Sequence, residues 1–112
     1  MAEIRDDRAR GLLAAFEGGE AVGRIAYFVL DEPSAALVAV HTVVEPGHEG
    51  KGIAGDLVRE FYVTAAREGL AVVPLCPYAA KWAERHPDEA PAAPAALVEA
   101  AQARLAADPE LW

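Results

Sequence analysis

The 112 residues predict one α+β domain on a mixed, mostly antiparallel sheet. Three apolar, partly β-branched stretches fill residues 11–44, and the turns between them are too short for a crossover. Such stretches make an antiparallel meander. An amphipathic helical stretch then separates the third from a fourth, and a helix-length crossover makes those two strands parallel.

The first strand is "GLLAAF" at 11–16, closed by the turn "EGGE" at 17–20. "AVGRIAYFVLD" continues as the second. Its Val22, Arg24, Ala26 and Phe28 alternate with Ala21, Gly23, Ile25 and Tyr27, and neither set is cleanly apolar. "DEPS" at 31–34 is a turn, and "AALVAVHTVV" is a third strand with the low polarity of a central, two-sided position. The helix spans about residues 51–68, where Ile53, Leu57, Phe61 and Ala65 recur on one face. Gly69 stands where its C-cap belongs. "LAVVPLC" at 70–76 is the fourth strand, and Pro74 removes a ladder donor, so it lies at an edge or splays at its end. A short helix over about 78–86 stops before Pro87. "PDEAPAAP" links it to an Ala-rich helix at 95–107, whose apolar stripe is weak. This divides the chain into a domain over 1–90 and a helical tail over 91–112.

Composition narrows the function. A formal charge of −8 argues against sequence-independent nucleic-acid binding, which needs clustered Lys and Arg, and it favours a cationic partner. One cysteine excludes an internal disulfide and a Cys-rich zinc site, and no metal centre is expected. No apolar run reaches the roughly 18 to 20 residues of a membrane span. The amino-terminal residues lack the order of a signal peptide, so a cytoplasmic protein is expected.

The stretch "EPGHEGKGIAGDLV" carries the chemistry. Gly50, Gly52 and Gly55 fit G-x-G-x-x-G, but three strands precede the turn and no carboxylate follows near position 73. Both facts oppose a dinucleotide-binding unit. Lys51 is followed by glycine rather than Ser or Thr, which opposes a P-loop. A strand feeding a glycine turn that opens a helix still forms an anion site, because the first N–H groups and the helix dipole point outward. The same glycines also serve a plain tight turn.

Strand–"EGKGIA"–helix resembles the pyrophosphate segment of the GCN5-related N-acetyltransferases, with Glu49, Gly52 and Ala54 at the patterned positions. "HTVV" at 41–44, "AREGLAVVPLCPY" at 66–78 and "RHP" at 85–87 are further similar to the minimal YjdJ-type domains of that superfamily. The likeness covers roughly 9–89. Glu49 departs from the pattern, which has Gln or Arg there. The N-terminal helices that shape the acceptor site in larger relatives are absent, so the acceptor cleft is shallow or completed by the tail or a second copy, a homodimer being one such arrangement.

The resemblance implies the minimal acetyltransferase fold, with a splayed parallel strand pair and acetyl-CoA as cofactor. Main-chain groups of Thr42, Val43 and Val44 would hold the thioester end. The amides of Glu49, Gly50, Lys51, Gly52, Ile53 and Ala54 would hold the pyrophosphate. His41 is a candidate general base or a structural histidine of the sheet. Glu45 is a second base candidate. Cys76, expected within reach of His41 across the splay, is a candidate acyl-accepting nucleophile or an inert buried thiol. Tyr78 is a candidate proton donor to the leaving thiolate or a packing residue. Lys81 and Arg85, four apart on one helix face, meet the 3′-phosphate or simply solvate that face. The expected activity is transfer of acetyl to a primary amine, on a small molecule or a protein lysine. A non-catalytic CoA-binding or protein-interaction module is the alternative. Leu111 and Trp112 are expected to pack on the domain or on a second copy.

Overall fold

The computed structural model describes residues 3–108, so Leu111 and Trp112 lie outside the described residues. Eight elements follow in order: β1 (Glu3–Asp7), β2 (Leu12–Glu17), β3 (Glu20–Leu30), β4 (Ala36–Val44), α1 (Ile53–Glu68), β5 (Ala71–Pro74), α2 (Pro77–Arg85) and α3 (Ala95–Ala107). The five strands form one sheet in sequence order, antiparallel from β1 to β4, with β4 and β5 parallel. The α+β expectation therefore holds, with one strand more than the sequence suggests. β1 reads "EIRDD", a mostly charged and exposed edge strand with no apolar pattern to find.

Helices cover both faces of the sheet. Against one face α1 buries Ile53, Leu57, Val58, Phe61, Tyr62 and Ala65, in a cluster completed by Leu13, Ile25, Leu37 and Trp82 of α2. Leu57 is 0% and Phe61 2% exposed, and burying each such side chain contributes about 1.5–3 kcal/mol. On the other face Leu97 and Ala101 of α3 are buried against Phe28, Leu30, Val38, Val40 and Val73. The Ala-rich helix that looked marginal in isolation is thus docked through two of its residues. Gly69 caps α1 in the left-handed conformation, as expected.

Two β-bulges explain why the strands resisted a clean reading. Between β2 and β3 the register slips so that Val22 is the extra residue. Val22 therefore joins the α1-facing cluster together with the odd-numbered Ile25 and Tyr27. Beside it, a Cβ on Gly23 would meet Ile53 Cγ2 at 3.0 Å and Leu57 Cδ1 at 3.2 Å, so the missing side chain is the room α1 occupies. In β4 the extra residue is Val40, since Tyr27 pairs with Ala39 and Ala26 with His41. Before it Leu37 and Ala39 face α1; after it Val44 does.

Arg8 ties the far end of α1 to the sheet. Its Nη2 donates to Glu68 Oε2 at 2.7 Å and its Nε to Tyr27 Oη at 3.1 Å. Tyr27 itself donates to Asp6 and meets Phe61 edge-on, with ring centroids 5.1 Å apart. Burial, with the hydrogen bond to Asp6, pushes the Tyr27 phenol up to about 12; burial alone takes Tyr62 to about 12. In both, the folded value lies above the unfolded value of about 10, so this contribution is complete below pH ~10. It is lost as pH rises from about 10 through 12. Urea midpoints at about pH 8 and about pH 11 are expected to fall accordingly, and Tyr27→Phe should reduce the drop.

Candidate active site

Pro74 ends β5 after four pairs, the last being Ala39 with Pro74. Leu75 N and Cys76 N then both donate to Ala39 O, at 2.9 and 3.0 Å, as the chain turns away into α2. Beyond Ala39, β4 has no further pairing with β5 among the described residues. The pair therefore parts, as the sequence suggested. Glu45 N donates to Val22 O at 2.9 Å. By alternation, the main-chain groups of Thr42 and Val44 then face the opened edge.

The turn after β4 runs into α1 through Gly47, Gly50 and Gly52, at φ 88, 83 and 80°. A Cβ on Gly50 or Gly52 would meet nothing within 4 Å, so these glycines are required by conformation and the space above them is open. Gly52 is the N-cap of α1 and no side chain caps the helix. Its first intrahelical bond comes from Asp56 N to Gly52 O at 3.0 Å, and the amides of Ile53, Ala54 and Gly55 precede that bond. Glu49 is exposed. The Lys51 ammonium donates to His48 Nδ1 at 3.1 Å and to Glu17 Oε1 at 3.4 Å, which fastens the turn to the end of β2.

Beside this helix start, α1 and α2 enclose a cavity of about 370 Å³. Its rim carries Arg59, Lys81 and Arg85 against one carboxylate, Asp56. Tyr78, 44% exposed, stands at the same cavity. Trp82 forms the wall, stacked on His86 at 4.0 Å and on Tyr62 at 5.8 Å between centroids. His86 Nδ1 lies 2.8 Å from Trp82 O, so Nδ1–H is the donor. Arg59 lies over the Trp82 ring and donates to Glu89 Oε1 at 2.8 Å, a tie that raises its own pKa and lowers that of Glu89. A Cβ on Gly55 would stand 3.6 Å from Tyr78 Oη and 3.7 Å from Trp82 Nε1, so its absence widens the cavity. Trp82 and His86 continue the four-residue spacing from Tyr78, a signal present in the sequence and passed over there. Arg59 reaches the same cavity from α1.

The structure separates two residues that the sequence joined. Cys76 is buried in the cluster under α1, and its thiol donates to Thr42 Oγ1 at 3.3 Å. His41 is exposed and lines a different cavity, with Arg24, Ala26 and Val43. Those residues alternate away from the α1-facing cluster, so the sheet lies between His41 and Cys76. The expected pair is corrected to Cys76 with Thr42. The cause is the Val40 bulge, which carries the strand from Ala39 to Thr42 on one face and puts Val40 and His41 on the other.

A parallel pair that parts over a glycine-led helix start is the frame of an acetyltransferase fold. The chain belongs to the GCN5-related N-acetyl-transferase family, whose model matches residues 12–92. No curated protein matches the sequence. Among solved structures, the chain is similar to a ribosomal-protein-alanine N-acetyltransferase from Brucella melitensis biovar Abortus 2308. The identity is 27%, with 74% of this chain and 62% of that chain covered and a TM-score of 0.57. It also shares the fold of an integron cassette protein from the mobile metagenome of V. cholerae, at 20% identity and a TM-score of 0.52, covering 67% of this chain and 52% of that one. The chain thus spans about 62% of the length of the first of these.

Proposed function

We propose that the protein is an N-acetyltransferase that takes acetyl from acetyl-CoA and passes it to a primary amine. The observation that carries this is the opened edge of β4 running directly into the uncapped, glycine-led start of α1. Three features fit the cofactor. Thr42 and Val44 offer main-chain groups to an amide-bearing arm; the amides from Gly50 to Ala54 suit a diphosphate; Lys81, Arg85 and Arg59 at the α1–α2 cavity suit a further phosphate. Acetyl-CoA supplies an activated acyl group and a thiolate that can leave.

The chain's own residues have separate tasks. His41, on the open half of β4, takes the proton of the incoming ammonium, directly or through water. Tyr78, which lines the α1–α2 cavity, returns a proton on the leaving side. Transfer is direct. Cys76 is 4% exposed and its thiol is tied to a hydroxyl, whereas nucleophilic thiols sit partly exposed beside a cation.

Calorimetry should give saturable acetyl-CoA binding, and thiol release should rise when an amine is supplied. A titration without heat at protein concentrations up to about 1 mM would sink the proposal, that limit corresponding to about −4 kcal/mol of binding. For Cys76→Ala, mass spectrometry should find transfer within about threefold of the parent, less than 1 kcal/mol of barrier. An S-acetyl adduct on the parent that the variant lacks, with transfer lost, would restore the covalent route.

A further inference from the structure

The face of the sheet opposite α1 holds two adjoining cavities that share Arg10, Gly11 and Tyr27. The first, about 380 Å³, has Arg24, His41 and Val43 in its wall. The second, about 320 Å³, has Arg104 of α3, whose guanidinium lies 5.9 Å from the Phe28 ring centroid. No acidic residue lines either cavity among the described residues. In a chain with 18 Asp and Glu against 10 Lys and Arg, four arginines line this groove, Arg8, Arg10, Arg24 and Arg104. Arg8 is held by Asp6 and Glu68, which leaves Arg10, Arg24 and Arg104 to meet a ligand. The arginines come from the β1–β2 connection, β3 and α3, so only the fold assembles them.

The partners of Arg10 and Arg24 are loosely held. Arg10 Nη1 lies 3.9 Å from Asp7 and is 72% exposed; Arg24 Nη1 lies 3.4 Å from Glu45, with both side chains nearly half exposed. Exposed pairs of this kind are worth about 0–1 kcal/mol, so a ligand anion can replace them. The groove also adjoins the chemistry. His41 and Val43 in its wall alternate with Thr42 and Val44, whose main-chain groups would carry the thioester, so an amine lodged there meets the acyl carbon from the face opposite α1.

We infer that the acceptor is an amine that carries a carboxylate of its own, as a free amino acid or an acidic peptide does, held by Arg10 and Arg24 with its amino group at His41. This rests on the acetyl-transfer reading, and it reverses the preference for cationic acceptors that the overall charge of −8 suggests. Guanidinium–carboxylate contacts are charge-assisted and orient their ligand, which fits a groove that must aim an amine. The reaction balances: the amine nitrogen bonds to the acetyl carbon and the carbon–sulfur bond breaks. Of the two protons the ammonium loses, one goes to His41 and the other, by way of solvent, makes up the proton that the sulfur takes as CoA leaves as the thiol.

The test compares L-aspartate, L-glutamate and glycine with ethanolamine and spermidine in a thiol-release assay on the full chain. Acetyl-CoA binding is measured beside it by calorimetry. The carboxylate-bearing amines should exceed the others by about tenfold or more in kcat/KM, and salt should erode the advantage. The double variant Arg10→Gln, Arg24→Gln should raise the acceptor KM by about tenfold while the Kd for acetyl-CoA stays within about twofold. If acetyl-CoA binds but spermidine is preferred, or the double variant leaves the selectivity untouched, the acceptor assignment falls alone. If acetyl-CoA does not bind, the acetyl-transfer reading falls and the assignment with it.

Discussion

Gly11→Ala is expected to lower stability by about 3 kcal/mol or more, since of the glycines it is the one where an added methyl meets the shortest contact. Gly11 sits at φ 65°, where an L-residue costs about 1–2 kcal/mol. An added Cβ would also stand 2.2 Å from Tyr27 O, a backbone atom that cannot step aside. Gly11 O accepts from Tyr27 N at 2.9 Å, so relieving the clash means opening the β2–β3 junction. For a chain of this size the loss corresponds to a fall in Tm on the order of 12 °C. Gly18→Ala is the matched control: φ is 58° but nothing lies within 4 Å of the added methyl, so only the strain of about 1–2 kcal/mol should appear. Equal losses in the two variants would show that close approach to Tyr27 is not the cause.

Gly52→Asp is expected to reduce acetyl-CoA affinity roughly 100-fold, while Gly52→Asn reduces it only a few-fold. Asn and Asp both tolerate a left-handed residue better than other side chains, so the strain at φ 80° is shared. They differ by one negative charge in the open space above the helix start, where the diphosphate is proposed to lie. The same charge is favourable to the α1 dipole, so the Asp variant should fold at least as stably as the Asn variant. Binding and stability then move in opposite directions, which a general disruption of the turn cannot produce. Indistinguishable affinities for the two variants, read by calorimetry, would remove the diphosphate from this turn.

Much of the fold was legible because local signals agreed. The turns at 17–20 and 31–34, the four-residue recurrence from Ile53 to Ala65, and Gly69 each mark one boundary, and Pro74 told where β5 stops. The parting of β4 and β5 followed from that proline. β1 was hidden because "EIRDD" owes its place to pairing with β2 and buries almost nothing of its own. The error over His41 and Cys76 has a different source. Alternation along a strand can be counted from sequence only while the register is unbroken, and Val40 is an ordinary apolar residue with no mark of a bulge. The arginine groove was beyond any local reading, since Arg10, Arg24 and Arg104 meet only after the sheet has formed and α3 has docked. The α1–α2 cavity lay between these cases: its spacing was visible on α2, but the partner face of α1 was not.

The extra residue at Val40 also divides labour within a single strand. From Ala36 to Val40 every side chain is buried, and a substitution there is paid in folding. From His41 onward burial lapses, the β5 side is open, and the side chains stand between the two surfaces proposed for cofactor and acceptor. Had the strand kept its phase, Thr42 and His41 would trade faces, and the imidazole would sit in the core while the hydroxyl faced the arginines. One inserted residue thus lets a strand anchored in the interior change roles midway, and it leaves the outer half free to vary with the acceptor while the inner half holds the domain together.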